Sequence, residues 1–255
     1  MATSELWQSA STPKPSPLGQ AGDAADRSME LARVSEGLAV FGREGTAHTV
    51  PISRLPNSGM AGKRLLDVAF SSLTLVLLSP VLLVIALAIK LDSVGSVLYA
   101  AERIGKNGRV FRCFKFRTMV RDAAELQASV MHRNERDMVL FKVTNDPRVT
   151  RVGRILRKYS LDEMPQFLNV LRGEMSVVGP RPPLAIEVQQ YRRGQLRRLD
   201  VAPGITGLWQ VQCRHDPSFE SYVSLDLTYI ENWSLGLDLK IMVRTLGVVL
   251  SGSGI

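Results

Sequence analysis

The sequence has few of the residues from which metal and redox centres are built. It contains two cysteines and three histidines in 255 residues, and Cys113 and Cys213 belong to no CxxC motif or Cys/His cluster. We therefore expect no zinc site, and free thiols in a reducing compartment. The glycine-rich nucleotide loops GxxxxGK[ST] and GxGxxG after a strand are also absent.

The amino-terminal region lacks the apolar stretch of a secretory signal peptide. Residues 1–60 instead contain a proline- and serine-rich tract, Ser11–Pro17, together with five basic and six acidic side chains. This composition predicts a disordered extension, to which we assign no chemistry. The net charge is +8, so the basic excess falls after residue 60. It suits an anionic partner: nucleic acid, acidic lipid headgroups or a phosphorylated substrate.

Charge is almost absent from Val68–Leu91, in which Lys90 is the only ionisable residue. A helix of about 24 residues would be about 36 Å long, enough to cross a bilayer. The alternative is the core helix of a soluble domain, which is rarely so uniformly apolar. We therefore predict a membrane helix.

Ser79 and Pro80 lie in the middle of this apolar run. Proline removes a backbone donor and kinks a helix, and the Ser79 hydroxyl could satisfy the freed carbonyl. Lys63 and Arg64 precede the run and further basic residues follow it, and cationic flanks favour the cytoplasmic side. Because both flanks are basic, we predict a re-entrant helix over residues 61–95 that breaks at Ser79-Pro80; a kinked span is the alternative. The flanking cations could then reach lipid headgroups.

An Asn-Gly pair at 107–108 separates two β-rich runs, Ser96–Ala100 and Arg109–Met119. This pattern predicts a hairpin. Lys115 and Arg117 alternate with other residues of the second run and would share one face. Cations at such positions are typical of a solvated edge strand, or they could face an anionic ligand.

Helix signals recur in the second half of the chain. Asp146-Pro147 predicts a helix start, and four arginines spaced three residues apart would form one cationic stripe: Arg148, Arg151, Arg154 and Arg157. Such a stripe is usually solvated, but it could contact acidic lipid or nucleic acid. Further helices are predicted over Leu184–Leu199 and over the amphipathic segment Tyr229–Leu250, which could pack on the domain or lie in the membrane interface.

Two adjacent carboxylates, Asp162 and Glu163, precede an apolar run with helical spacing. Ser160 and Glu163 fit a capping box, so the acids could do no more than start a helix. Alternatively, one carboxylate could attack phosphorus while its neighbour holds a divalent metal or moves a proton. Arg181, held between two prolines, could neutralise phosphate charge. Beside a membrane helix, this set suggests phosphoryl transfer to a lipid acceptor.

From Gly62 to the carboxyl terminus the chain resembles the monotopic phosphoglycosyl transferases, bacterial sugar transferases that load a phosphosugar onto polyprenyl phosphate. The matching stretches occur in order over about three quarters of the chain. They are Lys63-Arg-Leu-Leu-Asp67, Ser79-Pro80, Arg103-Ile-Gly105, Lys115-Phe-Arg-Thr-Met119, Asp146-Pro-Arg-Val-Thr150, Ser160-Leu-Asp-Glu163 with Pro165-Gln166, Gly179-Pro-Arg-Pro182, Pro203-Gly-Ile-Thr-Gly207 and Asp238-Leu-Lys240. A chance match of this kind is implausible.

The resemblance implies that Asp162 attacks the β-phosphate of a UDP-sugar, releases UMP and carries a covalent phosphosugar. Glu163 would activate the polyprenyl phosphate, and both carboxylates would organise Mg²⁺. Basic side chains are assigned to substrate phosphates: Arg181, Arg157, Lys115, Arg117 and Arg148. The expected reaction transfers a hexose-1-phosphate, of glucose or galactose, and initiates exopolysaccharide or glycoconjugate repeat units. An N-acetylhexosamine-1-phosphate transferase and a non-catalytic, membrane-anchored basic adaptor are the alternatives.

The resemblance also implies an α/β fold that is rich in helix. A compact catalytic domain, residues 96–255, would carry interfacial amphipathic helices and face the cytoplasm at a bacterial inner membrane. Expected partners are the UDP-sugar, polyprenyl phosphate and the cytoplasmic leaflet, without nucleic acid; a homo-oligomer or a polysaccharide assembly complex is left open. The chain departs from the family at Cys213 and His215, where glycine and asparagine are expected, and this bears on the local turn and on sugar recognition.

Overall fold

The computed structural model describes residues 57–134, 143, 145–213 and 218–252. The helices are α1 (Asn57–Asp92), α2 (Gln127–Val130), α3 (Arg151–Lys158), α4 (Gln166–Arg172), α5 (Ala185–Val188), α6 (Leu208–Gln212), α7 (Phe219–Glu231) and α8 (Leu235–Leu250). The strands are β1 (Leu98–Ile104), β2 (Val110–Phe116), β3 (Ser176–Val178) and β4 (Gly204–Thr206), and 3₁₀ turns cover Lys106–Gly108, Met131–Arg133, Leu161–Glu163 and Arg193–Asp200. This agrees with an α-rich α/β fold. Residues 1–56, most of the predicted extension, lie outside the described residues.

The first helix, α1, is long and apolar enough to cross a membrane. Only 11% of its most apolar 18-residue stretch is buried, and Val76 and Leu83 are 70% and 72% exposed. A core helix of a soluble domain would bury such side chains, so these exposures favour the membrane helix. The helix begins at Asn57, before the predicted boundary at residue 61, and ends at Asp92.

Pro80 lies inside α1, and the helix continues through it. Proline cannot donate to the carbonyl four residues earlier, which is that of Val76. The hydroxyl of Ser79 donates a hydrogen bond to this carbonyl at 2.8 Å. The prediction that Ser79 compensates for Pro80 is confirmed, whereas the re-entrant course of the helix stays a prediction.

Charged side chains bind the amino-terminal end of α1 to the globular domain. Lys63 Nζ lies 2.8 Å from Asp238 Oδ2, and Arg64 donates to the last two carbonyls of α4 before Arg172. Asp67 is buried and accepts a hydrogen bond from Ser176 Oγ at 3.0 Å. The two predicted membrane-flanking cations are therefore engaged with protein, because the buried carboxylate and the helix end need counter-charges.

The carboxyl-terminal end of α1 packs against the same domain. Ile85 and Ile89 are buried in one cluster with Phe116 and Leu156. Asp92 Oδ2 accepts a hydrogen bond at 3.1 Å from the second backbone N–H of α3. Both ends of the helix are thus fixed to one body of protein, and its exposed apolar middle lies between them.

The predicted hairpin is confirmed: β1 and β2 pair in antiparallel fashion, with Leu98 opposite Phe116. Asn107 in the connecting turn has a φ of 57°, a left-handed conformation that asparagine tolerates. Lys115 occupies the next-to-last position of β2, beside the 3₁₀ turn that carries the two acids.

The strands β3 and β4 pair in parallel, with Ser176 opposite Gly204 and Val178 opposite Thr206. A Cβ atom on Gly204 would lie 2.1 Å from the backbone nitrogen of Gly179, so only glycine allows this close approach. The proline-flanked arginine loop follows β3 directly. The main core that encloses this sheet includes Phe167, Val170, Met175, Val177, Tyr229, Ile230 and Ile241.

The predicted helix start at Asp146-Pro147 is wrong. The N-cap of α3 is Thr150, whose hydroxyl accepts a hydrogen bond from the Gly153 N–H at 3.0 Å. Asp146 instead forms a buried ion pair with Arg148 at 2.7 Å. Its carboxylate is engaged by the guanidinium and cannot cap a helix.

The predicted capping box at Ser160 is also wrong. Ser160 has a left-handed backbone conformation (φ 54°, ψ 22°), and its side chain makes no capping hydrogen bond. The acids lie in the 3₁₀ turn, and α4 begins separately at Gln166 with Pro165 as its N-cap residue. Proline favours such a fresh start because its φ is fixed and it needs no N–H partner. The helix that follows the two acids therefore does not take its start from the predicted box.

Two predicted helices are divided by extended residues. Within Leu184–Leu199, Arg192 has φ −71° and ψ 158° and separates α5 from a 3₁₀ turn. Within Tyr229–Leu250, the chain leaves α7 and starts α8 at Ser234, whose hydroxyl accepts a hydrogen bond from the Leu237 N–H at 3.1 Å. The apolar periodicity was visible in each case, but the breaks depend on local capping.

Candidate active site

The two candidate catalytic carboxylates lie in the 3₁₀ turn that connects α3 to α4. The Asp162 side chain is only 13% exposed, whereas the Glu163 side chain is 30% exposed. Asp162 is thus largely removed from water, and Glu163 remains accessible to a second reactant.

Lys115 from β2 joins both acids. Its Nζ lies 2.7 Å from Glu163 Oε1 and 3.9 Å from Asp162 Oδ2. One ammonium group therefore offsets the repulsion between adjacent carboxylates. The sequence could show that these residue types were present, but the structure shows that they meet.

The position of Lys115 is set by Asn169, a buried residue of α4 that the sequence did not single out. Its Oδ1 accepts a hydrogen bond from the Phe114 N–H at 3.0 Å, and its Nδ2 donates to the Arg112 carbonyl at 2.8 Å. These two bonds fasten α4 to β2 immediately before Lys115. A buried asparagine within an apolar helical pattern was the available signal.

Arg157 approaches the acids from the last turn of α3. Its Nε donates a hydrogen bond to Thr118 Oγ1 at 3.0 Å. The helix can come this close because Gly153 packs on the Thr118 backbone, where a Cβ atom would lie 2.1 Å from the carbonyl oxygen. Arg157 and Asp162 interact electrostatically, so the structure brings this predicted phosphate-binding arginine to the site.

The charges of the site act on one another. Burial raises the pKa of the Asp162 carboxyl, and Glu163 adds to this effect, while Lys115 and Arg157 oppose it. Burial disfavours the charge on Lys115, yet the Glu163 and Asp162 carboxylates raise its pKa overall. Lys115 is therefore a cation at neutral pH, and Asp162 is a poorly solvated carboxyl group, whose ionised form is a reactive nucleophile.

Arg181 follows β3 and faces a buried carboxylate. Its Nη1 lies 3.7 Å from Glu187 Oε1, and its guanidinium lies 6.0 Å from the centroid of the Tyr222 ring. Burial lowers the pKa of nearby Arg103, and the charge of Arg181 lowers it further. Arg181 also interacts electrostatically with Glu163. Arg181 and Arg103 therefore place positive charge near the Asp162–Glu163 pair, which we call the dyad.

A second buried ion pair supports the Arg181 loop. Arg198 Nη2 lies 2.6 Å from Asp226 Oδ2 and donates a hydrogen bond to the Arg181 carbonyl at 3.1 Å. The hydroxyl groups of Tyr191 and Tyr222 also accept hydrogen bonds from Arg198. One available signal for this pair is Asp226 itself, a charged residue on the otherwise uncharged buried face of α7.

Two predicted phosphate ligands are engaged elsewhere. Arg117 donates to the Ser93 carbonyl at 2.7 Å and fastens the loop after α1, so it does not share the site with Lys115. Arg148 is held by Asp146 and by the Ala123 carbonyl. The stripe is correspondingly uneven: Arg151 and Arg154 are exposed, Arg157 is half-buried and Arg148 is buried.

The donor set is compatible with Mg²⁺. Among the described residues no three His, Cys, Asp or Glu side chains cluster to hold a metal ion. Asp162 and Glu163 as protein ligands of Mg²⁺ stay a prediction. Mg²⁺ commonly binds to one or two carboxylates and takes its other ligands from substrate phosphates and water. The two carboxylates fit that pattern, although Glu163 would then have to contact the metal ion and Lys115 at the same time.

Of the two departures from the family pattern, Cys213 is half-buried and closes α6 with φ −134°. Any residue adopts this conformation, so glycine is not required there. His215 lies outside the described residues.

The description "bacterial sugar transferase" belongs to the family model that matches residues 58–252, and the chain is a member of this family. The resemblance seen in the sequence is therefore confirmed.

Named relatives agree with this membership. The exopolysaccharide production protein ExoY of Rhizobium meliloti (strain 1021) is 45% identical over 203 residues, which cover 78% of this chain and 89% of that protein. The UDP-glucose:undecaprenyl-phosphate glucose-1-phosphate transferase of Escherichia coli (strain K12) is 43% identical over 208 residues, 77% of this chain and 42% of that protein. The undecaprenyl-phosphate galactose phosphotransferase of Salmonella typhimurium is 36% identical over 243 residues, 89% of this chain and 50% of that protein. The chain thus spans half or less of the latter two relatives.

Proposed function

We propose that this protein transfers a hexose-1-phosphate, of glucose or galactose, from a UDP-sugar to undecaprenyl phosphate, as the first step of exopolysaccharide repeat-unit assembly. The observation that carries the proposal is the environment of Asp162. This carboxylate is buried beside Lys115 and Arg157 and stands next to a more accessible acid, Glu163.

The reaction has two displacements at one phosphorus atom. An oxygen of Asp162 attacks the β-phosphorus of the UDP-sugar, and the bond from that phosphorus to the bridging oxygen breaks, so UMP leaves with the electron pair. The hexose phosphate is then bound to Asp162 as an acyl phosphate. An oxygen of undecaprenyl phosphate attacks the same phosphorus, releases the carboxylate and forms the lipid diphosphate sugar.

The surrounding side chains have distinct parts in this proposal. Lys115, Arg157 and Arg181 neutralise phosphate charge that would otherwise repel the attacking carboxylate. Glu163 lies beside the incoming lipid phosphate and acts as its general base, accepting a proton if that phosphate is protonated. Mg²⁺, when bound by Asp162 and Glu163, would supply further charge neutralisation on the phosphate oxygens.

The proposed membrane arrangement is supported by the contacts of α1. Both ends of the helix contact the catalytic domain, while its apolar middle is exposed. These contacts support a re-entrant helix that enters and leaves at the cytoplasmic leaflet, with the domain facing the cytoplasm. A lipid-borne acceptor would then meet the dyad at the membrane surface.

Intact-protein mass spectrometry tests the reaction. Purified protein is mixed with UDP-glucose or UDP-galactose and Mg²⁺ without lipid. A gain of one hexose phosphate that is absent in Asp162→Asn is the expected result. An adduct only with UDP-N-acetylhexosamines would instead assign that donor class. Folded protein that gains no mass from any UDP-sugar, and whose polyanion binding survives Asp162→Asn, would favour the membrane-anchored adaptor.

A further inference from the structure

A groove beside Glu163 has no ligand assigned to it in the reaction described above. It lies between the 3₁₀ turn of the dyad, the segment from β4 to α6, and α8. Its lining includes Glu163, Ile205, Thr206, Gln210, Val211 and Val248. The enclosed part has a volume of about 60 Å³, which admits one end of a small ligand but no buried nucleotide.

One polar atom of this groove has no partner. The side-chain oxygen of Gln210 is buried, and among the described residues nothing donates a hydrogen bond to it. A buried acceptor that has lost water without gaining a donor is unfavourable, so proteins seldom keep one without a reason. The neighbouring Thr245 hydroxyl donates to the Ile241 carbonyl at 2.8 Å and lies 2.7 Å from the Thr206 hydroxyl, which is then its donor. Neither hydroxyl donates to Gln210, so the Gln210 oxygen is an acceptor that a ligand could satisfy.

We infer that Gln210 is a specificity-determining residue, whose side-chain oxygen accepts a hydrogen bond from a hydroxyl group of the donor sugar. This inference rests on the proposed function. When Asp162 attacks the β-phosphorus, the hexose is one oxygen atom away from that phosphorus. The sugar must therefore lie next to the dyad, and the groove shares the Glu163 side chain with it.

The chemistry of the groove favours a sugar over the hydrocarbon chain of the acceptor. An isoprenoid chain carries no hydrogen-bond donor and would leave Gln210 unsatisfied, whereas every hexose carries several hydroxyl groups. The apolar side chains of Ile205, Val211 and Val248 can pack against the C–H face of the ring. Because no donor among the described residues bonds the Gln210 oxygen, this oxygen can turn toward a ligand without losing a hydrogen bond to that part of the protein.

The test compares Gln210→Leu with Gln212→Leu, a matched control from the exposed end of the same short helix. UMP release is measured with the preferred UDP-hexose and with its monodeoxy analogues, each lacking one hydroxyl. In the wild type we expect one analogue to have a kcat/KM lower by about 10- to 1000-fold. In Gln210→Leu the parent hexose should fall to the level of that analogue, so the ratio approaches one. Gln212→Leu should keep the wild-type ratio.

Three results would overturn the inference. An unchanged ratio in Gln210→Leu, or an equal loss with every donor, would show that Gln210 reads no hydroxyl. A raised KM for undecaprenyl phosphate with an unchanged donor ratio would assign the groove to the acceptor. Failure of the folded wild type to release UMP from any UDP-sugar would overturn the proposed function as well. If the leucine variant does not fold, Gln210→Glu, which keeps an acceptor oxygen, should retain the discrimination, and Gln210→Met should lose it.

Discussion

The guanidinium group of Arg198 donates a hydrogen bond to the backbone carbonyl of Arg181 at 3.1 Å. Arg198 is itself paired with Asp226, and both of these side chains are 1% exposed. The loop that presents Arg181 therefore rests on a buried ion pair as well as on its two prolines. Such a pair is held firmly because displacing either member leaves a charge buried without its partner.

Replacing Arg198 by lysine tests this support. Lysine keeps the charge but cannot reach Asp226 and the Arg181 carbonyl at once, because it lacks the planar fork. We expect Arg198→Lys to raise the KM for the UDP-sugar about tenfold or more, with a smaller effect on kcat. Steady-state UMP release measures both. The control is Arg197→Lys, whose surface pair with Glu231 contributes little. Equal kinetics for the two variants would show that Arg198 does not position Arg181.

Asp226 should make stability depend on pH. Burial raises its pKa to about 6, against the attraction of Arg198, whereas an unfolded aspartate titrates near about 3.9. The folded state thus binds this proton more tightly, so stability from this group falls as the pH rises from about 4 to about 6. The Tm of the wild type minus the Tm of Asp226→Asn, followed by thermal melts, should therefore decrease over that interval. An increase in this signed difference would mean that the ion pair dominates and that the pKa is depressed.

Many of the secondary-structure elements could be predicted from local sequence patterns. The long-range contacts that hold the site residues in position could not. The hairpin was predictable because an Asn-Gly turn and its flanking strands are adjacent in sequence. The starts of α3 and α4 were mispredicted because the side chains that fitted a cap, Asp146 and Ser160, are used differently in three dimensions. The Arg198–Asp226 pair joins residues 28 positions apart, and no spacing rule relates them. The candidate site was predictable in its acids and in Lys115, Arg157 and Arg181, but not in Asn169, which holds Lys115 in place.

Gly153 permits the contact that brings Arg157 to the site, so Gly153→Ala should disturb it. The new Cβ atom would meet the Thr118 carbonyl oxygen at 2.1 Å, and backbone cannot give way as a flexible side chain can. We expect a loss of about 1–3 kcal/mol in unfolding free energy, as for other overpacked sites, and slower adduct formation. Gly247→Ala is the control, because nothing lies within 4 Å of its added methyl group and alanine favours the helix by about 0.5–1 kcal/mol. Equal stability of the two variants would contradict the prediction.

Glu163→Gln separates the two displacements. The following helix does not depend on the predicted capping box, and glutamine keeps the size of the side chain, so the variant should fold with a melting temperature close to that of the wild type. Its amide cannot accept a proton as a carboxylate does, and we expect turnover with undecaprenyl phosphate to fall at least about 100-fold. The hexose-phosphate adduct on Asp162 should still form from the UDP-sugar. Glu231→Gln, which alters a surface pair, is the control. Wild-type turnover in Glu163→Gln would limit this acid to a structural role.

The course of α1 can be decided by cysteine labelling. Met60 and Val94 lie at opposite ends of the helix region and are 37% and 82% exposed. In a background with Cys213 replaced by serine, Met60→Cys and Val94→Cys should both be protected from an impermeant maleimide in intact spheroplasts. Both should react once the membrane is opened, because a re-entrant helix leaves its two ends in the cytoplasm.

The remaining native thiol, Cys113, is 1% exposed and should react little. The Cys213→Ser protein without an added cysteine measures this background. Leu77→Cys, in the exposed apolar middle of α1, should react poorly before and after opening, because a thiol within lipid is shielded from a water-soluble reagent and rarely ionised. Labelling of one end but not the other in intact spheroplasts would establish a spanning helix instead. The contacts of Lys63 with Asp238 and of Asp92 with α3 could not then form in the same molecule, so either outcome also tests how the membrane helix is joined to the catalytic domain.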